Sequence, residues 1–472
     1  TQNGIRGGSA TVHFPIWHKE IEDILVLKNN KGTEDNRVRK LDYSIQLSEL
    51  FYQRFIDNKE ITLFSPHDCP NLFESFGTDR FDDLYQRYEN DPTIPSRKVR
   101  AQELILTLLK ERAETGRIYI MNIDHVNTHS SFKDKVEMSN LCQEITLPTK
   151  PLQHIDDLDG EIALCILSAI NVGTLRSLDS LEELCDLAVR GLDALIDFQG
   201  YPVKAAAIGT RARRSLGIGY IGLAHYLAKN KVSYNDAEAH NMVHDLTEAF
   251  QYYLLKASNQ LAKEQGACKY FDKTKYSDGI LPIDTYKKDI DEIVPNTLKY
   301  DWDSLRNDIK QYGLRNSTLS AQMPSESSSI VSNATNGIEP PRDYLSTKKS
   351  KKGPLKQIVP AYQSLKQHYT LLWDMKSNDG YVKVVAVMQK FFDQAISGNW
   401  SYNPDNYPDN EVPVSVMAND LLTTYKYGWK TSYYQNTYDN KTDEVEVEEV
   451  KQGLESLLGE IESTSECDAC AI

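Results

Sequence analysis

Nowhere in its 472 residues does the sequence hold an uninterrupted apolar stretch near the roughly 20 residues that span a bilayer. The opening TQNGIRGGSATVHF also lacks the charged-then-apolar layout of a secretory leader. A cytoplasmic chain with no membrane partner is expected. Positive charge is short as well: 53 basic residues against 68 acidic ones give a formal charge of −15. That balance disfavours broad binding to a nucleic acid backbone, while leaving local basic pockets for small phosphates open. Cysteine is scarce, with Cys69, Cys142, Cys165, Cys185, Cys268, Cys467 and Cys470 spread through the chain. An odd, dispersed set without a leader argues against a structural disulfide framework. No internal repeat is present. The first residue is Thr, which fits either a removed initiator Met or a chain cut from something larger.

What is present is enough apolar content, 40%, to bury a large core in one large domain or two to three smaller ones. The opening QNGIRGGSA is too glycine-rich for an element interior and reads as a loop that lets another molecule approach its backbone. Ala101, Leu104, Ile105, Leu108 and Leu109 follow the spacing of an amphipathic helix that Gly116 stops. RIYIMNID at 117–124 then reads as a strand. A second such unit starts with the apolar run IALCILSAINV at 162–172. It enters a helix capped by Ser180 and Glu183, with Leu181, Leu184, Ala188, Leu192 and Leu195 as its buried stripe. Segments such as VKVVAVMQKFF at 382–392 continue the mixture, so an α/β architecture is expected. After Tyr438 the composition changes. DNKTDEVEVEEVKQGLESLLGEIESTSE carries ten acidic residues, two lysines and no aromatic, and is expected to stay largely disordered.

The candidate chemistry rests on cysteines in unlike surroundings. Cys142 lies between Asn140 and Glu144; on an extended segment, alternation turns all three side chains to one face. An amide, a thiol and a carboxylate then meet one ligand. The competing reading is an ordinary buried cysteine flanked by surface polar residues. Cys165, inside an apolar run, reads as core unless a second thiol lies near. Cys467 and Cys470 stand at C-x-x-C spacing on the acidic arm, where they can exchange disulfides but have no core to stabilise. Zinc needs two more ligands, and neither a second C-x-x-C nor a histidine pair accompanies them, so no metal is expected on this chain. As a coil, the arm from Tyr438 to Cys467 spans about 30 Å and can reach a distant site. MPSESSSIVSNATNGIEPPR at 323–342 sets Pro324 and a cluster of Ser and Glu at a helix start, an anion site suited to a diphosphate or else a plain N-cap. Gly217, Gly219 and Gly222 match G-x-G-x-x-G, but AIGTRARRS before them is no hydrophobic strand, so a Rossmann site is set aside. Tyr433 and Tyr434, adjacent, read as core unless an electron must pass.

Taken together, NLCQE at 140–144, PSESSSIVSNATNGIEPPR at 324–342, SYYQNT at 432–437 and the terminal cysteine pair resemble the large subunit of class I ribonucleotide reductases. LVLKNNKG at 25–32, RIYIMNIDHVNTHS at 117–130 and LPIDTYKKD at 281–289 are also similar to that family. The resemblance implies an incomplete part of a ten-stranded α/β barrel over 1–438, with residues 1–10 as a specificity loop and 439–472 as a flexible redox tail. It implies reduction of ribonucleoside diphosphates to 2′-deoxyribonucleoside diphosphates. Cys142 would carry a transient thiyl radical, with Asn140 and Glu144 at the 3′-hydroxyl and Glu144 as general base. Tyr433 and Tyr434 would relay an oxidising equivalent from a radical-bearing small subunit, expected to hold a di-iron tyrosyl radical. Cys165 would be one member of the reducing pair, restored by Cys467 and Cys470 and then by thioredoxin or glutaredoxin. Asn140, Leu141, Cys142, Gln143 and Glu144, with Pro324, Ser325, Glu326, Ser327 and Ser328, would hold the substrate, and Gln2 and Arg6 would sense nucleotide effectors. No cofactor is expected on this chain itself.

The sequence departs from the family pattern in two places. The amino-terminal region is absent, and with it the partner of Cys165, since Cys69, Cys185 and Cys268 lie in unlike surroundings. Two residues separate the tail cysteines where many relatives have more. The expectation is a chain that works after joining an amino-terminal fragment supplied separately, as a homodimer of the completed subunit. A piece cut from one longer chain is the rival explanation. Two other functions compete: a non-catalytic assembly or regulatory partner of an intact reductase, and a C-x-x-C disulfide oxidoreductase. The first leaves the retained Cys142, Glu144 and tyrosines without a purpose, and the second leaves Asn140 and Glu144 unexplained.

Overall fold

The computed structural model describes residues 8–350 and 353–439, without the side chains of residues 34, 348–350 and 353–355. In chain order, the elements that position the site begin with β1 (Thr11–Pro15), β2 (Asp42–Leu47), α1 (Ala101–Thr115) and β3 (Ile118–Asn122). They continue with β4 (Ile166–Asn171), α2 (Ser180–Phe198), β5 (Leu216–Ile221) and α3 (Ala237–Gln265), then α4 (Glu326–Val331), α5 (Asp379–Gln389) and β6 (Thr431–Ser432). One sheet has the order β1-β2-β3-β6, parallel through β3 and closed by antiparallel β6. A second, parallel pair is β4-β5. This is the expected α/β class, and among the described residues the barrel is not closed.

Burial follows position in the sheets. The inner strands β2 and β3, and β5, are buried at every residue, the signature of parallel strands covered on both faces. The edge strands β1 and β4 are only partly buried. Helix α1 buries the five apolar positions expected of it and ends at Gly116, whose φ of +68° lets the chain turn where a side chain would be strained. The 382–392 run forms helix α5 through Gln389, apolar and buried nearly all round, which is why its sequence shows no polar face to mark the period. The 29-residue α3 is the spine, packed against α2, α5 and the helix Trp302–Tyr312.

Helix α2 corrects two expectations. Asp179 stands at its N-cap without a side-chain cap bond, and Ser180 is already helical. Its buried apolar side chains are Leu181, Cys185, Val189, Leu192 and Ile196, with Asp193 beside them, so Leu181 and Leu192 of the expected stripe hold while the rest of it is turned. Leu184, Leu187, Leu195 and Phe198 are exposed, Phe198 by 86%. The helix is apolar on two faces, so counting from Leu181 fits either stripe, and packing on α3 selects one. Among the described residues no helix is long and apolar enough to cross a membrane. Gln2 and Arg6, and the tail from 440 with Cys467 and Cys470, lie outside the described residues.

Candidate active site around Cys142

One face of the four-stranded sheet is a polar bed. The register sets Thr11 beside Asp42, His13 beside Ser44 and Ser44 beside Tyr119, while Gln46 and Thr431 both flank Met121. Strand alternation therefore carries these side chains to the same side, and residues 137–143 lie across it. Thr11 Oγ1 donates to the Leu141 carbonyl (3.2 Å), Gln46 Nε2 to the Glu137 carbonyl (2.6 Å) and Thr431 Oγ1 to the Gln143 carbonyl (3.0 Å). The loop is held by side chains because its own backbone is irregular. The amide of Gln143 donates to the Asn140 carbonyl at 3.2 Å, closing a tight turn, and Gln143 has a φ of +72°. That left-handed conformation costs a non-glycine residue about 1–2 kcal/mol.

The turn replaces the extended segment expected for 140–144, yet the same three side chains meet. Asn140 hydrogen-bonds Glu144, and Asn140 Oδ1 also accepts from the Ile145 amide at 3.1 Å. Burial pushes the Glu144 carboxyl up from its ordinary value, against the opposing pull of its bonds to Asn140 and Ser397. The Tyr433 hydroxyl donates to Cys142 Sγ at 3.4 Å. The rings of Tyr433 and Tyr434 lie 3.8 Å apart between centroids, and Tyr119 stands 4.8 Å from Tyr433. Tyr433 is buried and Tyr434 partly exposed, so the pair runs from the surface to the thiol. Arg117 lies over the Tyr434 ring at 5.3 Å.

From the opposite side the turn is gripped by residues 394–397. The Ala395 amide donates to the Glu144 carbonyl at 3.0 Å, and Ser397 Oγ reaches both the Cys142 carbonyl (2.5 Å) and Glu144 Oε2 (3.1 Å). Gln394 accepts from the Thr146 amide, donates to the Leu216 carbonyl on β5, and hydrogen-bonds the Cys165 thiol. Cys165 thus sits just ahead of β4, within electrostatic reach of Glu144, its thiol pushed up by burial. Gly217 makes the room: a Cβ there would fall 2.7 Å from Cys165 Sγ. This accounts for Gly217; it and Gly219 lie inside strand β5, and Gly222, with a φ of +81°, ends it. Ser325 is buried and donates to the Met323 carbonyl instead of capping α4, while Pro324, Glu326, Ser327 and Ser328 are exposed around the helix start. The segment leading into it is tied to the same grip, Ser397 N donating to the Gln322 carbonyl.

Four contributors carry no sequence signal of their own. Ser397 and Gln394 lie some 250 positions from the turn. Arg112, 0% exposed, donates to the carbonyls of Ile118, Tyr433 and Tyr434 and lies 4.6 Å over the Trp400 ring. Burial away from any carboxylate brings its guanidinium down to about 10. Lys430, fully buried, donates to the carbonyls of Asp393 (3.0 Å) and Gln394 (2.8 Å) and fixes the gripping segment.

The comparisons decide the family. Residues 1–435 match the family model of the ribonucleotide reductase barrel domain. The chain belongs to the ribonucleotide reductase family. It is 61% identical over 448 residues to the ribonucleoside-diphosphate reductase subunit alpha of Haemophilus influenzae, covering 94% of this chain and 59% of that protein. The subunit alpha of Escherichia coli reductase 1 is 56% identical over the same shares, and that of phage T4 46% identical over 96% of this chain and 60% of the relative. The chain therefore spans about three-fifths of the length of these curated relatives. Among the described residues, His244, Asp245 and Glu248 form a grouping with metal-ligand spacing. These three side chains are already engaged in hydrogen bonds and an ion pair. Lys390 Nζ lies 3.1 Å from His244 Nε2, Lys299 Nζ 2.6 Å from Asp245, and Glu248 Oε1 accepts from Trp302 Nε1.

Proposed function

We propose that this chain is the carboxyl-terminal, thiol-bearing part of the catalytic subunit of a ribonucleoside-diphosphate reductase, supplying deoxynucleotides for DNA synthesis. The observation that carries the reading is the Tyr433 hydroxyl on Cys142 Sγ at 3.4 Å, with Glu144 and Asn140 on the same turn. An oxidising equivalent passes from Tyr434 through Tyr433 to Cys142, each site losing an electron and a proton together. The sulfur radical takes the 3′-hydrogen of the ribose, and Glu144 takes the 3′-hydroxyl proton. Its raised carboxyl is the better matched to that task near neutral pH. The 2′-hydroxyl leaves as water, and Cys165 with a second thiol supplies two electrons and two protons, closing a disulfide. Glu144 and Cys142 then return the proton to the 3′-oxygen and the hydrogen to C3′, which restores the sulfur radical.

Cys467 and Cys470 reopen that disulfide and are restored by thioredoxin or glutaredoxin. The diphosphate sits at Pro324, Ser325, Glu326, Ser327 and Ser328, and Gln2 and Arg6 answer to nucleotide effectors. The radical source is a small subunit with a di-iron tyrosyl centre, and the enzyme is cytoplasmic. The rest of the relatives' length, in the same polypeptide or a second one, supplies the partner of Cys165 and completes a dimeric subunit. Among the described residues β1 and β4 pair on one side only and Leu184, Leu187 and Phe198 of α2 are exposed, which supports a further layer there. In the completed holoenzyme, Cys142→Ser is expected to bind nucleotide and form no deoxynucleotide. Product from that variant would end this reading.

A further inference from the structure

We propose that Gln143 and His13, braced by Ser44, are positioning residues that hold Cys142 on Tyr433. The proposal rests on the reading just given and adds to it a part for residues beneath the thiol. Gln143, which the resemblance set among the substrate-holding residues, follows the reactive cysteine but is 0% exposed and hydrogen-bonds to Ser44 and His13 of the sheet, so its side chain serves the turn rather than the ligand. Its Oε1 accepts from Ser44 Oγ at 2.9 Å, and its Nε2 donates to the Asn140 carbonyl at 3.1 Å and approaches His13 Nε2 at 3.3 Å. His13 Nε2 also receives the Ser139 amide at 3.2 Å.

A backbone N–H can only donate, so that nitrogen carries a lone pair and the ring proton sits on Nδ1. Burial keeps the imidazole neutral, lowering it to about 4. The network thus fixes both ends of the turn, Ser139 and Asn140 on one side and Gln143 on the other, with Cys142 between. It also supplies the bonds that offset the left-handed backbone of Gln143. Slack in this turn would change the 3.4 Å approach of sulfur to the Tyr433 hydroxyl, while the groups at the α4 start that would hold the diphosphate stay where they are.

The logic of buried hydrogen bonds gives a test that a merely destabilising change cannot mimic. Deleting one member leaves its side-chain partner buried and unsatisfied, whereas replacing both partners of that bond by apolar groups of similar shape removes that penalty. In the holoenzyme, Gln143→Leu is expected to lower kcat at least tenfold with KM for the nucleoside diphosphate within twofold. Ser44→Ala and Gln143→Leu combined, which leave His13 accepting the Ser139 amide and the Asn140 carbonyl accepting from the backbone amide of position 143, are expected to restore kcat to within about threefold of the starting enzyme. In the full chain alone, hydrogen exchange across 139–145 should rise at least tenfold in Gln143→Leu and fall back in the combined variant. Unchanged kcat and exchange in Gln143→Leu, or a combined variant as poor as the single one, would overturn the proposal. If the unsubstituted holoenzyme makes no deoxynucleotide, the functional reading fails, and the exchange measurement still decides the bracing.

Discussion

Acid is expected to release the thiol-bearing turn through His13, and the size of the effect follows from burial. The imidazole is held near 4 in the folded chain against about 6.5 in the unfolded one. A histidine lowered on folding is bound by fewer protons in the native state between those values. Its stability contribution is therefore intact above about pH 6.5 and is lost as pH falls. At about 1.4 kcal/mol per pH unit, the loss comes to about 2 kcal/mol at pH 5 and about 3 kcal/mol once the ring is fully charged in both states. The charged ring would also turn an N–H against the Ser139 amide and Gln143 Nε2, which both donate to it. The comparator is the His13→Phe variant. It keeps His125, His129 and His240, also lowered by burial, so their contributions cancel in the difference. For a chain of this size each kcal/mol moves Tm by about 1 °C. Scanning calorimetry should find the parent losing about 2 °C relative to the variant between pH 7.5 and pH 5. A difference independent of pH would refute the neutral, acceptor-only role given to His13.

Other expectations test the rest of the site. Tyr433→Phe should bind nucleoside diphosphate normally by calorimetry and lose at least a thousandfold in turnover; retained activity would remove the relay. Ser397→Ala deletes a bond that favours ionised Glu144, so the acid limb of the kcat profile should move up by about one pH unit, activity failing sooner as pH falls; an unmoved limb would detach Ser397 from the base. Arg112→Met strips the guanidinium donor from the Tyr433 carbonyl and should cost about 2–4 kcal/mol, read as a lower Tm with weaker radical transfer. Cys467→Ser with Cys470→Ser should spare turnover driven by a small dithiol and block turnover driven by thioredoxin; equal loss with both reductants would count against the tail.

Local patterns were legible where one face of an element is apolar. The α1 stripe and its glycine stop follow from spacing, and the strand after it from a run of buried apolar residues. The α2 stripe was not, because that helix offers two apolar faces and only the position of α3 chooses between them. The site divides in the same way. Asn140, Cys142 and Glu144 stand together in sequence, so their convergence is readable even though a left-handed Gln143 rather than an extended strand achieves it. Tyr433 and Tyr434 are adjacent and chemically distinctive. Ser397, Gln394 and Lys430 are ordinary residues whose role exists only because the fold returns them to the turn from far along the chain. Gly217 is an intermediate case: its pattern was visible, but its purpose, clearance for the Cys165 thiol, needs the β4-β5 register.

The polar face of the sheet explains why this thiol can be both mobile in chemistry and fixed in space. An apolar bed would leave the carbonyls of Glu137, Leu141 and Gln143 unpaired, and each orphaned buried carbonyl costs about 1–3 kcal/mol. Thr11, Gln46 and Thr431 satisfy one apiece, so the irregular turn is no less saturated than a strand. Regular structure would satisfy the same groups more simply, but a strand would hold Asn140, Cys142 and Glu144 on one face at steps of about 7 Å, whereas the turn draws Asn140 within hydrogen-bond reach of Glu144. The side-chain ladder on β1, β2 and β6 is thus the condition for placing a reactive sulfur on a loop. It follows that β1, which supplies both Thr11 and His13 from the sheet edge, is the strand whose stability the thiol depends on most. Whatever pairs with β1 on the side away from β2 should tighten the site: if the rest of the relatives' length completes the subunit as proposed above, protection of 139–145 against hydrogen exchange is expected to rise when it is added, before any nucleotide binds.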